Sequence, residues 1–279
     1  MNAVMMLLAL RLAGLPGAGE PVSLRYQWTV GQKVEFRTTL QAQALIQMNS
    51  GPLALPIQGR FSYTLECLAV EEGQATLKVN LGELKMVSSE QELKTEADSA
   101  PPFILVMDAF GKPLEIRGLQ EGENAPELAG LNFYYQYFLL QLAPFAFPDK
   151  PLSPSETWLT AAEVVLRGSD PLSLKSASRF QGLEVLQDRN CAKISTNVKL
   201  PVKIRLPQFG NVEVSGKMEG TIITHFALDE GQVLQSTSQI QAQVAVSGVA
   251  VSGPNQAPQD LQANVQAQLQ MKRLPASQS

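Results

Sequence analysis

The chain reads as a succession of stretches that are apolar at every second residue. Between Lys33 and Met48, one parity carries Val34, Phe36, Thr38, Leu40, Ala42, Ala44, Ile46 and Met48. The other carries Lys33, Glu35, Arg37, Thr39, Gln41, Gln43 and Gln47, with only Leu45 out of place. A period of two is that of a strand with one buried face. It recurs over Phe61, Tyr63, Leu65, Cys67 and Ala69, and over Ala75, Leu77, Val79 and Leu81. It returns over Ile194, Thr196, Val198 and Leu200, then over Val212, Val214, Met218, Ile222 and Phe226. The cleanest run is the last, where Leu261, Ala263, Val265, Ala267, Leu269 and Met271 alternate with Gln262, Asn264, Gln266, Gln268 and Gln270.

One apolar and one polar face is the signature of an antiparallel sheet, because parallel sheets are covered on both sides. Several runs exceed the usual strand of about 5–6 residues, and a sheet of long strands twists and coils. The predicted fold class is therefore mostly β, a large curved antiparallel sheet of half-barrel or two-meander architecture. Turn chemistry separates the runs at Glu71-Glu72-Gly73, Asp108-Ala109-Phe110-Gly111, Gln187-Asp188-Arg189-Asn190, Asp229-Glu230-Gly231 and Gly253-Pro254-Asn255-Gln256-Ala257-Pro258.

One segment breaks this rhythm. Between Pro126 and Pro144, residues Leu131, Tyr134, Tyr135, Phe138 and Leu142 fall at helical spacing, which predicts one amphipathic helix over 127–142; a buried aromatic strand is the alternative. Such a helix fills the core of a curved sheet or lies as a lid over an apolar pocket. A membrane-surface role is disfavoured by the lack of Lys and Arg on its polar side. Those five residues are the candidate ligand-binding residues.

Pro144, Pro148, Pro151 and Pro154 then mark a boundary. The expected organisation is a first meander unit over 20–146, a second over 147–274 packed on the first, and a disordered tail over 275–279. The two units share phrasing. Leu65-Glu66-Cys67-Leu68, a turn, then Ala75-Thr76-Leu77-Lys78-Val79 is echoed by Leu183-Glu184-Val185-Leu186, a turn, then Ala192-Lys193-Ile194-Ser195-Thr196, an offset of about 120 residues. An internal repeat is the expectation; shared turn chemistry is the plainer explanation.

Composition narrows the function. Of the 279 residues 44% are hydrophobic and 17% charged, with a net charge of −4, against roughly 25% charged in an average globular protein. Lys and Arg are scattered, so no basic stripe would hold a nucleic acid. The apolar run Val4-Met5-Met6-Leu7-Leu8-Ala9-Leu10, followed by Gly17-Ala18-Gly19, fits a signal peptide over 1–19, although no Lys or Arg precedes it and Arg11 interrupts it. No segment is long and apolar enough for a transmembrane helix. The expected location is the periplasm or the exterior.

Catalytic chemistry is sparse. His225 is the single histidine, and it shares parity with Glu213, Lys217, Glu219 and Thr221, so it is expected to face solvent rather than activate a nucleophile. No Cys/His cluster suits zinc. Glu90, Glu92, Glu96 and Asp98, with Glu121, Glu123 and Glu127, sit in acidic loops, which are solvated more often than they bind calcium. Cofactors and metals are expected to be none, and catalytic residues none. Trp28 and Trp158 open their units and suit core plugs better than sugar platforms. Cys67 points inward by parity and Cys191 outward, which argues against a disulfide.

Meander, Asp-x-x-Gly hairpin, aromatic helix, Pro-rich link and second meander, over residues 22–272, resemble uncharacterised exported bacterial β domains. The layout is similar to the lipoprotein-carrier (Lol-type) half-barrel, in which a curved sheet wraps a helix. The resemblance implies an apolar concavity able to hold an acyl chain and transfers no binding residue. Two readings stand: an exported, non-enzymatic envelope protein that binds an apolar or lipidic ligand on its curved sheet, or a structural protein that meets an envelope partner through a Gln/Ser/Thr-rich face.

Overall fold

The computed structural model describes residues 20–48, 51–88, 91–95, 102–118, 127–128, 131–132, 146–164, 172–206, 212–249 and 259–275. The regular elements among them are all β-strands. The first half contributes β1 (Lys33–Met48), β2 (Gly51–Glu71), β3 (Gln74–Ser88), β4 (Gln91–Thr95), β5 (Phe103–Asp108) and β6 (Pro113–Arg117), followed by the short pair β7 (Glu127–Leu128) and β8 (Leu131–Asn132). The second contributes β9 (Thr157–Val164), β10 (Leu172–Leu186), β11 (Arg189–Leu206), β12 (Val212–Ala227), β13 (Gln232–Val249) and β14 (Gln259–Arg273).

Twelve strands make one antiparallel sheet in the order β6-β5-β3-β2-β1-β14-β13-β12-β11-β10-β9, with β4 beside β3. The halves join where β1 lies along β14, from Phe36 opposite Arg273 to Gln47 opposite Gln262. The sheet does not close: β6 and β9 stand at opposite edges. Irregular register at Phe61/Tyr63, Phe180/Gly182 and His225/Phe226 adds local twist, as bulges do.

The turns at Glu71-Glu72-Gly73, Asp108–Gly111, Gln187-Asp188 and Asp229–Gly231 all lie at one end of the sheet. Glu72 and Gly73 take φ of 50° and 78°, and Gln187 and Asp188 51° and 60°, the left-handed pairs of tight hairpins. Glu230 ties three elements together there, bonding Arg189 of the neighbouring hairpin and, at 2.5 Å, Arg273 at the end of β14.

The core sits at this same end, on the apolar face. Two extended segments, 20–32 and 146–156, cross that face and hold each other through Val22 and Leu152, whose backbones exchange hydrogen bonds of 2.9 and 2.8 Å. The first segment donates from Tyr26 to Ala109 of the β5–β6 hairpin and from Gln27 to Gly231 of the β12–β13 hairpin. These hairpins belong to opposite flanks, so the sheet wraps its apolar face around the segments, and that face is concave. Gly231, with φ of 58°, permits the contact, because a Cβ there would meet Gln27 at 2.5 Å. Tyr26 stacks on Phe147 at 5.5 Å and meets the edge of Phe226 at 5.2 Å. Leu77, Val79, Leu105, Leu152, Phe180 and Ile194 complete a core with no more than 1% exposure each. Trp28 and Trp158 belong to this core, with Trp158 Nε1 donating to Ala146 O at 3.0 Å.

The helix expected over 127–142 is not shown. Glu127 pairs with Asn132 and Leu128 with Leu131 as a short antiparallel ladder, where a helix would have run its first turns. Gly130 lies between them in the sequence, and glycine disfavours a helix interior by about 1 kcal/mol. Tyr134, Tyr135, Phe138 and Leu142 lie outside the described residues, as do the expected signal peptide over 1–19 and the loop from Gly253 to Pro258.

Candidate functional site

Past the aromatic core, the concave face continues as an open trough across β2, β1, β14, β13 and β12. Register places its side chains in rows. Ile57, Ala42, Ala267, Ile240 and Gly220 form one; Leu55, Ala44, Val265, Ala242 and Met218 the next; Leu53, Ile46, Ala263, Val244 and Gly216 the third. Alternation within each strand, together with the join of β1 to β14, assembles these rows from residues far apart in the chain, as where Ala42 meets Ala267. The core behind them is sealed, yet most of these aliphatics are only half-buried and Leu53 is 43% exposed. From Ser238 to Val246 the trough runs about 26 Å at roughly 3.3 Å per residue.

Small residues keep the surface low. A Cβ at Gly220 would meet Gln239 O at 2.8 Å, and one at Gly216 would meet Gln243 O at 2.0 Å, so neither position takes a side chain without the strands moving. The two shallow open depressions on this part of the sheet are lined mostly by the opposite parity, one by Gln41, Gln43, Gln239, Gln241, Gln266 and Gln268, the other by Ser215, Lys217, Gln243, Gln262 and Asn264, so they belong to the polar convex side rather than to the trough. Among the described residues, no charged side chain falls in the rows of the trough. The convex side is their polar counterpart: Gln58, Gln41, Gln268 and Gln239 run across four strands in register, with Gln43, Gln266 and Gln241 beside them.

His225 requires a correction. Its parity is convex as expected, alongside Lys193 and Gln235, but it is buried, at 8% exposure. Cross-strand partners cover it. Nε2 lies 2.6 Å from Glu184 Oε1, and Nδ1 lies 3.5 Å from Gln235 Nε2. Lys193 Nζ holds the other Glu184 oxygen at 3.2 Å. Burial works to raise the Glu184 carboxyl, but Lys193 and His225 outweigh it and hold the group below its ordinary value. Glu184 thus links Lys193 and His225 in one polar network at the hairpin end of the sheet.

Both cysteines are free. Cys67 lies in the main core, while Cys191 lies with Ala227 and Leu234 in a small apolar cluster on the opposite face. Burial pushes both thiols up from their ordinary value. Of the five candidate ligand-binding residues, only Leu131 falls on described backbone, in β8, which pairs with β7 in a two-stranded sheet of its own. None of the trough's residues is among those candidates. The signal for them was present in the alternation of Ala42, Ala44 and Ile46 and of Ala263, Val265 and Ala267, where small residues stand in place of core-sized ones.

No protein-family model matches the chain, and no curated protein matches it by sequence. Among solved structures, a lipovitellin, described for its lipid–protein interactions, aligns with 91% of this chain at 12% identity and a TM-score of 0.46; the chain spans 26% of it. DynF, from the dynemicin biosynthesis pathway of Micromonospora chersina, aligns with 96% of this chain and 90% of its own at 10% identity and a TM-score of 0.23. OccK2 (OpdF) of Pseudomonas aeruginosa aligns with 88% of this chain and 99% of its own at 7% identity and a TM-score of 0.25. These scores are too low for any of the three to speak to this chain's ligand.

Proposed function

We propose that the protein is an exported, non-enzymatic component of the bacterial envelope that holds an acyl chain in the trough of its curved sheet. The observation that carries this reading is an uncharged aliphatic concavity, continuous over five strands, left half-buried beside a core that is otherwise sealed. Water against such a surface is costly, and an apolar chain laid along it removes both its own area and the trough's from water. Each buried methylene contributes about 0.8 kcal/mol, so two added methylenes tighten binding roughly tenfold until the trough is full. The apolar run before residue 20 supports export.

A titration with an environment-sensitive fluorescent fatty acid tests the reading. Saturable binding that strengthens with chain length is the expected result. Ala242→Glu, which puts a charge in the trough, abolishes it, while Gln241→Glu on the convex face leaves it within twofold. Failure of the probe to bind, or equal effects of the two variants, refutes it. In that event the glutamine rows of the convex face favour the second reading, a structural protein that meets an envelope partner through its amide-rich surface.

A further inference from the structure

Between the aromatic core and the aliphatic rows, the concave face carries hydroxyls. Thr224 of β12 stands opposite Ser236 of β13, and Ser238 follows two residues on. Beside them Ser178 and Thr196 face each other across β10 and β11, with their oxygens 2.8 Å apart, and Ser176 follows. All six are buried, and Thr224 is only 2% exposed. Its Oγ1 nevertheless has no hydrogen-bond partner, and neither does that of Thr38 on β1, at 0% exposure. A buried hydroxyl left unpaired is destabilising, and an isosteric apolar residue would avoid the loss. On β12, Thr224 sits between Phe226 of the core and Ile222 at the mouth of the trough; on β13, Ser238 immediately precedes Ile240 on the same face. The unsatisfied group thus lies where the sealed core gives way to the open trough.

The charge pattern limits what such a patch accepts. Among the described residues, the concave face of β12, β13 and β14 carries no cation from the row of Thr224 and Ser236 outward to Val214 and Val246. Arg273, one row inward, is already bonded to Glu230. An ionised carboxylate or phosphate brought there would be desolvated without a counter-charge. An ester, a hydroxyl or a glyceryl group exchanges hydrogen bonds with serine and threonine at no such cost.

We propose that this patch is the head-group subsite of the trough and that the ligand is an uncharged acyl lipid of the acylglycerol class. Its polar end sits on Thr224, Ser236 and Ser238, and its chain runs outward past Ala242 and Val244. This inference rests on the reading of the trough as an acyl site.

Competition against the fluorescent fatty acid separates the two claims. The competitors are monolauroylglycerol, laurate at pH 8, and dodecane, which share a twelve-carbon skeleton. Wild type is expected to bind monolauroylglycerol at least tenfold more tightly than laurate. Thr224→Val exchanges the hydroxyl for a methyl of the same shape; it weakens monolauroylglycerol about five- to tenfold, the range of one hydrogen bond, and leaves dodecane within twofold. Ser238→Ala acts in the same direction and decides the matter if Thr224→Val does not fold. If dodecane binds while monolauroylglycerol and laurate rank equally, or while neither variant alters monolauroylglycerol, the head-group subsite is overturned and the trough stands. If the fluorescent probe does not bind, the trough reading itself falls.

Discussion

Phe226→Ala measures how firmly the two extended segments lock the sheet into its curve. Phe226 projects from β12 with 1% exposure and packs against Phe147 at 4.9 Å and Tyr26 at 5.2 Å, edge to face in both cases. Removing the ring forfeits its transfer from water and leaves a cavity between one segment, the other and the sheet. Such truncations cost about 3–5 kcal/mol, and two aromatic contacts of roughly 0.5–1.5 kcal/mol each are lost with the ring, which places this site at the upper end. Against a typical stability of about 5–15 kcal/mol the loss is large but measurable. Urea unfolding followed by tryptophan fluorescence suits the purpose, because Trp28 and Trp158 both pack in this core. Leu159→Ala is the control: Leu159 is 85% exposed on the edge strand β9, and its truncation is expected to stay within about 0.5 kcal/mol. A loss below about 1 kcal/mol at Phe226, or a loss equal to that at Leu159, refutes the packing on which the concave geometry depends.

Three further outcomes follow from the same structure. Val79→Glu places a charge at a position of 0% exposure and is expected to abolish cooperative folding, whereas Lys78→Glu, on the opposite face of β3, shifts the urea midpoint little; circular dichroism melts of both variants distinguish them. Burial holds the hydroxyls of Tyr26 and Tyr63 well above their ordinary value of 10.0, with Tyr63 adding to the effect at Tyr26. The unfolded chain therefore releases these protons near pH 10 while the folded chain keeps them, so stability is intact below pH 10 and falls above it, by up to about 1.4 kcal/mol per group per pH unit. Urea midpoints from pH 8 to 11.5 should show this decline, reduced in Tyr63→Phe. Cys67 and Cys191, at 1% and 0% exposure, are expected to resist a thiol reagent until the protein unfolds; rapid labelling of either in the native state would contradict their burial.

Much of the sheet was legible because a half-buried strand writes its geometry locally. Alternation from Lys33 to Met48 matches the full extent of β1, and Glu72-Gly73 and Asp229–Gly231 announce their hairpins through residues that tolerate left-handed backbone. Strand order was not legible, since the pairing of Ala44 with Val265 depends on the curvature of the whole sheet rather than on either strand. The filling of the concavity was legible only in part. Aromatic spacing points to 127–142, most of which lies outside the described residues; among the described residues Val22, Leu24, Tyr26 and Trp28, which alternate with Ser23, Arg25 and Gln27, pack there. His225 shows the limit of parity, which gives the face but not its cover: Glu184, Lys193 and Gln235 bury it from neighbouring strands. The residues of the trough were not legible as a site because Ala42, Gly220 and Ala267 are small, scattered along the chain and become a surface only in register.

Photo-crosslinking with a diazirine-bearing acyl probe, followed by peptide mapping, addresses the acyl site most directly. The account predicts adducts concentrated on the concave rows of β1, β13 and β14, at Ala42, Ile240, Ala242 and Val265, suppressed by Ala242→Glu. Adducts spread over exposed apolar residues such as Leu159 and Val185, and unchanged in that variant, would contradict it.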